Sequence, residues 1–128
     1  MQNDALLAKV NLFLFNFKEC AEAGKIDYSQ VKRKTSIFLK SIGWKNSSMH
    51  NFVIENIEAK HYFRGPSDHH FISDCTVVEF GMELEGELLY VKLELILENE
   101  TFTSGYMSFH PREQVIDSFP LDFKGEVK

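Results

Sequence analysis

Hydrophobic residues in the first half of the chain recur at steps of three and four, the spacing of an amphipathic helix. The strongest such pattern covers residues 4–23 and ends at Gly24. Its apolar members are Leu6, Leu7, Val10, Leu14, Phe17 and Cys20. Because Phe13 and Phe15 lie off this stripe, the helix is predicted to bury more than one face.

Two shorter helices are predicted after the first. Residues 30–42 carry apolar side chains at helical spacing, and Gly43 stops the pattern. Ser47 or Ser48 can cap the start of a third helix that runs to Ile57. The N-terminal part of the chain is therefore predicted to be helical.

From residue 76 onwards the hydrophobic positions alternate, which is the pattern of strands with one buried face. Residues 76–80, 87–97 and 102–110 are predicted strands, joined by turns at residues 81–86 and 99–101. Residues 60–74, which contain Gly65 and Pro66, are predicted as an irregular loop. The tail from Pro111 is apolar enough to pack back on the domain, but its pattern defines no element.

These elements predict one α+β domain over residues 1–128, with N-terminal helices packed on a small, mainly antiparallel sheet. Cys20 and Cys75 lack metal-ligand spacing and are predicted to be reduced, packed thiols. No apolar run is long enough to cross a bilayer, and the first residues lack the basic flank of a secretion signal. We expect a cytoplasmic protein that needs no cofactor and binds no membrane.

Strand alternation gathers polar side chains on one face of the predicted sheet. In residues 87–97 an apolar row faces one way; its members are Leu89, Val91, Leu93, Leu95 and Leu97. Met107 and Phe109 continue that row in the next strand. A hairpin that closes around Glu100 puts both apolar rows on one side, which selects the register. The predicted cross-strand pairs on the other face are Tyr90 with His110, Lys92 with Ser108 and Glu94 with Tyr106.

Charge is distributed unevenly along the chain. The net charge of −5 argues against a nucleic-acid partner if only the total is considered. Residues 1–64, however, carry ten Lys and Arg against six Asp and Glu, whereas residues 65–128 carry four against thirteen. The local electrostatic potential, more than the total charge, determines where a polyanion binds. The run Lys32-Arg33-Lys34 is therefore a candidate RNA-binding segment, although such a run is also typical of a solvated helix start.

The residues on the polar face suit cleavage of a phosphodiester without a metal. RNA cleavage of this kind needs a base for the 2′-hydroxyl proton, a cation for the developing charge and an acid for the leaving 5′-oxygen. Arg64 offers a planar fork for phosphate oxygens and Lys92 a point charge. His110 suits either proton role, and Tyr90 can position the reacting groups. His70 is a further acid–base candidate.

Five short motifs support this interpretation by their order. They are Ser41-Ile42-Gly43-Trp44, His61-Tyr62-Phe63-Arg64-Gly65-Pro66-Ser67-Asp68, Val77-Val78-Glu79-Phe80-Gly81, Tyr90-Val91-Lys92-Leu93 and Ser108-Phe109-His110-Pro111. In this order they resemble toxins of the motility quorum-sensing regulator (MqsR) family, which belong to the RelE-like group of bacterial type II toxin–antitoxin systems. The resemblance covers roughly residues 32–111 and implies a RelE-like fold related to microbial ribonucleases.

The resemblance also implies a function. Such toxins are metal-independent mRNA endonucleases, or interferases, that arrest growth and are held inactive by a cognate antitoxin protein. By position, Arg64 matches the family's basic residue after the aromatic pair, and Tyr90 matches the tyrosine of its Tyr-x-Lys strand. Lys92 matches the strand lysine, and His110 matches the basic residue after Ser-Phe. The implied partners are an antitoxin and mRNA, either free or on the ribosome.

Two other functions remain open from the sequence. The chain could be a catalytically inert protein-binding module of the same fold, since Tyr90 and Lys92 also fit an ordinary solvated strand face. Glu79 would repel phosphate if it faced the site, which also favours that alternative. A metal-dependent hydrolase would instead use the cluster Asp68-His69-His70.

Overall fold

The computed structural model describes residues 4–68 and 74–127, which form three helices and five strands. The helices are α1 (Asp4–Glu22), α2 (Arg33–Ser41) and α3 (Asn46–Asn56), followed by a 3-10 turn (Ala59–His61). The strands are β1 (Ile26–Asp27), β2 (Tyr62–Asp68), β3 (Cys75–Leu84), β4 (Glu87–Glu98) and β5 (Thr101–Pro111). The α+β class, with the helices N-terminal to most of the sheet, is as predicted.

The five strands form one sheet in the order β1-β5-β4-β3-β2. Strands β2 to β5 are antiparallel neighbours, and β1 pairs with β5 in parallel. The hairpin turns between β3 and β4 and between β4 and β5 have two residues each, and all four have positive φ. Such turns match the twist of paired strands. The predicted turn over residues 81–86 was therefore too long, because β3 continues to Leu84.

The prediction of an irregular loop over residues 60–74 was wrong for residues 62–68, which form the edge strand β2. Pro66 obscured this strand because proline cannot donate to a ladder and is tolerated only at a sheet edge. The pairing of β2 with β3 is irregular on either side of Arg64. Gly65 has φ of +108°, and a Cβ there would lie 2.8 Å from the Val77 carbonyl oxygen. Glycine therefore allows this irregular edge to approach β3.

Helix α1 packs its apolar stripe on the sheet. Phe17 meets Tyr106 of β5 edge to face, with ring centroids 5.5 Å apart. Phe13 is buried and contacts both Phe17 and Phe80, but it belongs to the same stripe as Val10 and Phe17, so the prediction that α1 buries more than one face was wrong. Phe15, which the same argument included, is 61% exposed. Within the described ranges, no helix combines the length and apolar character needed to cross a bilayer.

The start of α2 is tied to β5. The Lys32 backbone N–H donates to the Met107 carbonyl oxygen at 2.9 Å. The Phe109 backbone N–H donates to the buried Thr35 hydroxyl at 2.7 Å. The helix begins at Arg33, three residues later than predicted. Helix α3 begins at Asn46, and its N-cap residue is Lys45. The prediction that Ser47 or Ser48 caps this helix was therefore wrong.

The register between β4 and β5 was predicted in part. Tyr90 pairs with His110 and Lys92 pairs with Ser108, as expected. The register then shifts by one residue: Leu93 pairs with Tyr106, and Met107 is an extra, unpaired residue in β5. A bulge of this kind changes which face the following residues occupy.

The bulge makes the predicted pairing of Glu94 with Tyr106 wrong. Tyr106 pairs with Leu93 and lies in the hydrophobic core, whereas Glu94 pairs with Gly105. Glu94 still points to the face opposite the core, but it is completely buried there. Glu94 is thus not part of a solvated face.

Candidate functional site

Four strands place polar side chains on the face of the sheet opposite α1. The ladder joins Arg64 of β2 to Glu79 of β3, Glu79 to Lys92 of β4, and Lys92 to Ser108 of β5. Tyr90 and His110 form the adjacent cross-strand pair. We call the five ionisable residues of these rows the site face: Arg64, Glu79, Tyr90, Lys92 and His110. Sequence alternation alone predicted the shared position of Tyr90, Lys92 and His110.

Glu79 lies at the centre of the site face. Its side chain is only 9% exposed and accepts hydrogen bonds from Arg64 Nε at 2.8 Å and Nη2 at 2.6 Å. The Tyr90 hydroxyl donates to the same carboxylate at 2.5 Å. Burial alone would raise the pKa of Glu79, but the hydrogen bonds from Arg64 and Tyr90 outweigh it and lower that pKa. The carboxylate is therefore ionised at neutral pH.

The partners of Glu79 are held in their protonated forms. The hydrogen bond to Glu79 raises the pKa of Arg64. Burial, followed by the hydrogen bond to Glu79, raises the pKa of Tyr90. Tyr90 is consequently a donor and not a base. Lys92 lies between Glu79 and Ser108 in the ladder, and its charge also helps to lower the pKa of Glu79.

His110 is buried beside Tyr90, with ring centroids 5.6 Å apart. Its Nδ1 lies 2.9 Å from the Pro111 carbonyl oxygen. Because a carbonyl oxygen can only accept, Nδ1 carries a proton in this contact. The Nε2 atom is then the one that takes up or releases a proton, so the backbone fixes the tautomer for acid–base chemistry.

A cleft of about 490 Å³ opens on the site face. It is lined by Lys32, Arg33 and Lys34 from the start of α2, and also by Arg64, Tyr90, Ser108 and His110. Lys92 lies on the same face but does not line this cleft. The structure thus brings the predicted RNA-binding run to Arg64, Tyr90 and His110, which are distant from it in sequence. The hydrogen bonds between α2 and β5 position this run.

The chain after β5 forms another wall of the cleft. Glu113 pairs with Lys34 at 2.6 Å, and both side chains are more than half exposed. Val115 and Ile116 supply apolar surface. Such an exposed pair contributes little to stability, so a bound anion can displace Glu113 at low cost.

Aromatic residues form the remaining part of the cleft. Phe63 lines it and lies 6.1 Å from Tyr90, measured between ring centroids. The guanidinium carbon of Arg64 lies 5.4 Å from the centre of the Phe63 ring. This cation–π contact orients Arg64, and an aromatic wall beside cations suits an unstacked nucleobase.

Three residues of the predicted acid–base and metal sites cannot be compared with the structure. His69 and His70 lie outside the described residues, and only the backbone of Asp68 is described. The His70 role and the Asp68-His69-His70 metal cluster therefore stay predictions. Among residues 4–68 and 74–127, no three His, Cys, Asp or Glu side chains are grouped to hold a metal ion.

Sequence reasoning did not assign Glu79, Phe63 or Glu113 to the site. A signal for Glu79 was present, because Val78 and Phe80 flank it and both belong to the core. Alternation therefore sends Glu79 to the opposite face. No comparable signal placed Glu113, since it follows the last strand.

A second groove, of about 540 Å³, lies between α1 and residues 121–126. Its polar lining includes Lys60 and Glu126, which pair with each other at 2.6 Å. Neither histidine nor tyrosine lines it. That groove therefore lacks the imidazole and phenol groups that the cleft on the site face has.

Comparison of the chain with models of protein families, with characterised proteins and with solved structures found no match.

Proposed function

We propose that the protein is a metal-independent endoribonuclease that cleaves mRNA and arrests growth. The observation that carries the proposal is the convergence of cations, a tyrosine and a histidine of fixed tautomer in one cleft. Arg64 binds the scissile phosphate, Tyr90 positions it, and His110 transfers a proton. Lys92 adds positive charge from the same face of the sheet, outside the cleft. Two nitrogens of Arg64 donate to Glu79, so phosphate either uses the remaining N–H groups of the guanidinium or replaces Glu79 as its partner.

The basic run at the start of α2 extends the binding surface. Lys32, Arg33 and Lys34 hold the flanking phosphates, and the N-terminus of α2 adds its partial positive charge. In a type II toxin–antitoxin system, the partner that neutralises such an enzyme is a cognate antitoxin protein. The sequence resemblance to MqsR toxins supports this assignment, with mRNA as the substrate, free or on the ribosome.

Inducible expression in a bacterial host tests the proposal. Wild type should arrest growth and cleave mRNA, whereas His110→Ala should lose at least 100-fold in cleavage rate, which is the usual scale for an acid–base group, roughly 10² to 10⁴. Lys40→Ala is the matched control, because Lys40 is exposed and lies at the other end of α2. Arrest by both wild type and His110→Ala would place the chemistry elsewhere.

The purified protein separates the metal hypothesis from this one. Cleavage of an RNA oligonucleotide should continue in excess chelator. Loss of cleavage in chelator, with recovery after Mg²⁺ or Zn²⁺ is added, would contradict the metal-independent reaction.

An inert protein-binding module is the second candidate function. It is favoured by one observation: two nitrogens of Arg64, Nε and Nη2, already donate hydrogen bonds to Glu79. Under this alternative, soluble wild-type protein leaves growth and RNA unchanged, and Arg64→Ala and His110→Ala are silent.

A further inference from the structure

The cleft on the site face combines several cations with one acid. The described residues that line it include five cations: Lys32, Arg33, Lys34, Arg64 and Arg112. Glu113 is the only acid among those described residues. Because a carboxylate in a cleft that binds RNA opposes the charge of the substrate, the contacts of Glu113 are informative about its role.

Glu113 binds the ammonium group of Lys34 from across the cleft. Both carboxylate oxygens lie within hydrogen-bond distance of Lys34 Nζ, at 2.7 and 2.6 Å. The two residues are 79 positions apart, one in α2 and the other in the segment after β5, so the pair joins two walls of the cleft. Glu113 thus presents two oxygens and a negative charge to Lys34, as a phosphate group of RNA would.

The electrostatic surroundings of Glu113 are those of an anion-binding site. The hydrogen bond from Lys34 and the charge of Lys34 lower the pKa of Glu113, and the charge of His110 adds to this effect. The carboxylate is therefore ionised at neutral pH. An anion that took its place would meet the same positive charges.

The side chain of Glu113 can leave Lys34 without a change in the fold. The Arg112 backbone N–H donates to the Leu88 carbonyl oxygen at 3.1 Å, which fixes the backbone just before Glu113. Further along the segment, Phe119 packs against Gly81. Because the Glu113 side chain is exposed, rotation about its own bonds takes the carboxylate into solvent.

We infer that Lys34 is the centre of a second phosphate subsite and that Glu113 is its internal competitor, which RNA displaces when it binds. This inference rests on the endoribonuclease function proposed above, in which Arg64 binds the scissile phosphate. The ligand of the second subsite is a further phosphate of the same RNA strand. Glu113 occupies that position in the free protein.

An internal competitor affects small anions and RNA differently. Glu113 weakens the binding of any anion to Lys34 by the same factor, and free phosphate competes with it only at its bulk concentration. An RNA strand that is already bound at Arg64 presents its other phosphates at an effective concentration in roughly the millimolar range. Glu113 therefore keeps small anions out of the subsite while a polyanion still enters it.

The test measures binding of a 2′-O-methyl oligonucleotide without terminal phosphates, by fluorescence anisotropy at physiological salt. Glu113→Gln keeps the shape of the side chain and removes its charge. We expect this variant to bind about two to five times more tightly than wild type, which corresponds to the loss of one exposed ion pair. In a Lys34→Ala background the same substitution should give no gain, because the carboxylate then has no cation to occupy.

Asp117→Asn is the matched control for the loss of one negative charge. Asp117 is exposed in the same segment and does not line the cleft, so this variant should bind the oligonucleotide as wild type does. If Asp117→Asn tightens binding as much as Glu113→Gln, or if the gain from Glu113→Gln persists without Lys34, Glu113 acts by general repulsion and the inference is wrong.

A scan of the oligonucleotide locates the second subsite. Each internal phosphate is replaced in turn by a neutral methylphosphonate. At one position the gain from Glu113→Gln should disappear, and at that same position Lys34→Ala should become insensitive to the replacement. An equal gain from Glu113→Gln at every position would contradict a defined subsite.

Cleavage of RNA separates this inference from the proposed function. Glu113→Gln should lower KM about two- to five-fold with little change in kcat, because Glu113 affects binding and not the reacting atoms. An active nuclease in which Glu113→Gln changes neither KM nor affinity would overturn the role of Glu113 alone. The expected coupling between Lys34 and Glu113 without any cleavage would support the subsite and remove the nuclease. Absence of RNA binding by both wild type and Glu113→Gln would remove both.

Discussion

Glu94 is a carboxylic acid enclosed by protein. Its side chain is completely buried, and neither of its oxygens has a hydrogen-bond partner within the part of the chain that the structure describes. Burial raises the pKa of Glu94, and the charge of Asp27 adds to this, while Cys75 and two lysines oppose it. A Cβ on Gly105 would lie 2.5 Å from Glu94 Cγ, so this glycine provides the space that the side chain occupies.

Glu94 should make the protein less stable as the pH rises. The folded state favours the protonated acid, so between its ordinary pKa near 4.5 and the raised folded value the folded state binds more protons than the unfolded state. The free energy of unfolding therefore falls with increasing pH in that range. Urea unfolding of wild type and Glu94→Gln at several pH values measures this effect.

The difference between these two proteins isolates Glu94, because all other titrating groups are shared. We expect Glu94→Gln to gain stability relative to wild type as the pH rises above 4.5. Parallel stability curves for the two proteins would show that Glu94 does not change its protonation on folding.

At the scale of elements, the segment after β5 crosses β3 at Gly81. Two ring atoms of Phe119 lie 2.8 Å from the position that a Cβ on Gly81 would take, and Ile116 Cδ1 lies 3.0 Å from it. The same ring of Phe119 meets Phe63, with centroids 6.5 Å apart. The absence of a side chain at Gly81 thus allows this segment to form a wall of the cleft.

Gly81→Ala should loosen the segment without disrupting the sheet. The added methyl group forces the Phe119 ring to move, at a cost of about 1–3 kcal/mol. Trypsin should then cleave faster after Arg112, which is exposed, and urea unfolding should report the lost stability.

A double-variant cycle provides the control. In Gly81→Ala/Phe119→Ala the clash is removed, so the combined cost should be smaller than the sum of the single costs. Additive costs would mean that Gly81 and Phe119 do not interact.

At the scale of the whole molecule, an acidic chain presents a basic cleft. The acids of residues 65–128 include Glu98 and Glu100 at the turn between β4 and β5. That turn is about eight to ten strand residues from Tyr90, which corresponds to roughly 25–30 Å. Physiological salt screens exposed charges beyond about 8–10 Å. Glu98 and Glu100 therefore contribute little to the field at the cleft.

RNA binding should weaken steeply with salt despite the net charge of −5. If the cleft neutralises three or four phosphates, log K against log salt has a slope of about −2 to −3 for a single strand. Fluorescence anisotropy with a 2′-O-methyl oligonucleotide measures this slope. Arg33→Ala should reduce its magnitude by about 0.7, the loss of one phosphate contact.

Glu100→Lys is the matched control for the distant acids and should leave both affinity and slope unchanged. A rise in affinity for Glu100→Lys as large as the fall for Arg33→Ala would show that total charge, and not the cleft, governs binding.

Much of this architecture is readable from the sequence because it depends on local periodicity. The hydrophobic stripe of α1 and the alternation of β4 and β5 each indicate one buried face. The alternation of the two strands also predicts the cross-strand pairs Tyr90 with His110 and Lys92 with Ser108. The bulge at Met107 could not be predicted from the sequence, because the hydrophobic pattern on either side of the extra residue still alternates. No local signal therefore showed that Tyr106 faces the core and not the polar side of the sheet.

The sequence by itself determined the α+β class and the side of the sheet on which Tyr90, Lys92 and His110 lie, since a period of two fixes the face of each strand residue. Only the tertiary structure decided that Arg64 lies beside Glu79 and that the basic start of α2 lines the same cleft as His110. These arrangements bring together segments about 15 to 80 residues apart, and their geometry depends on strand order, an edge-strand irregularity and the path of the chain after β5. Local patterns do not encode such long-range pairings, which are selected by the packing of the folded chain as a whole.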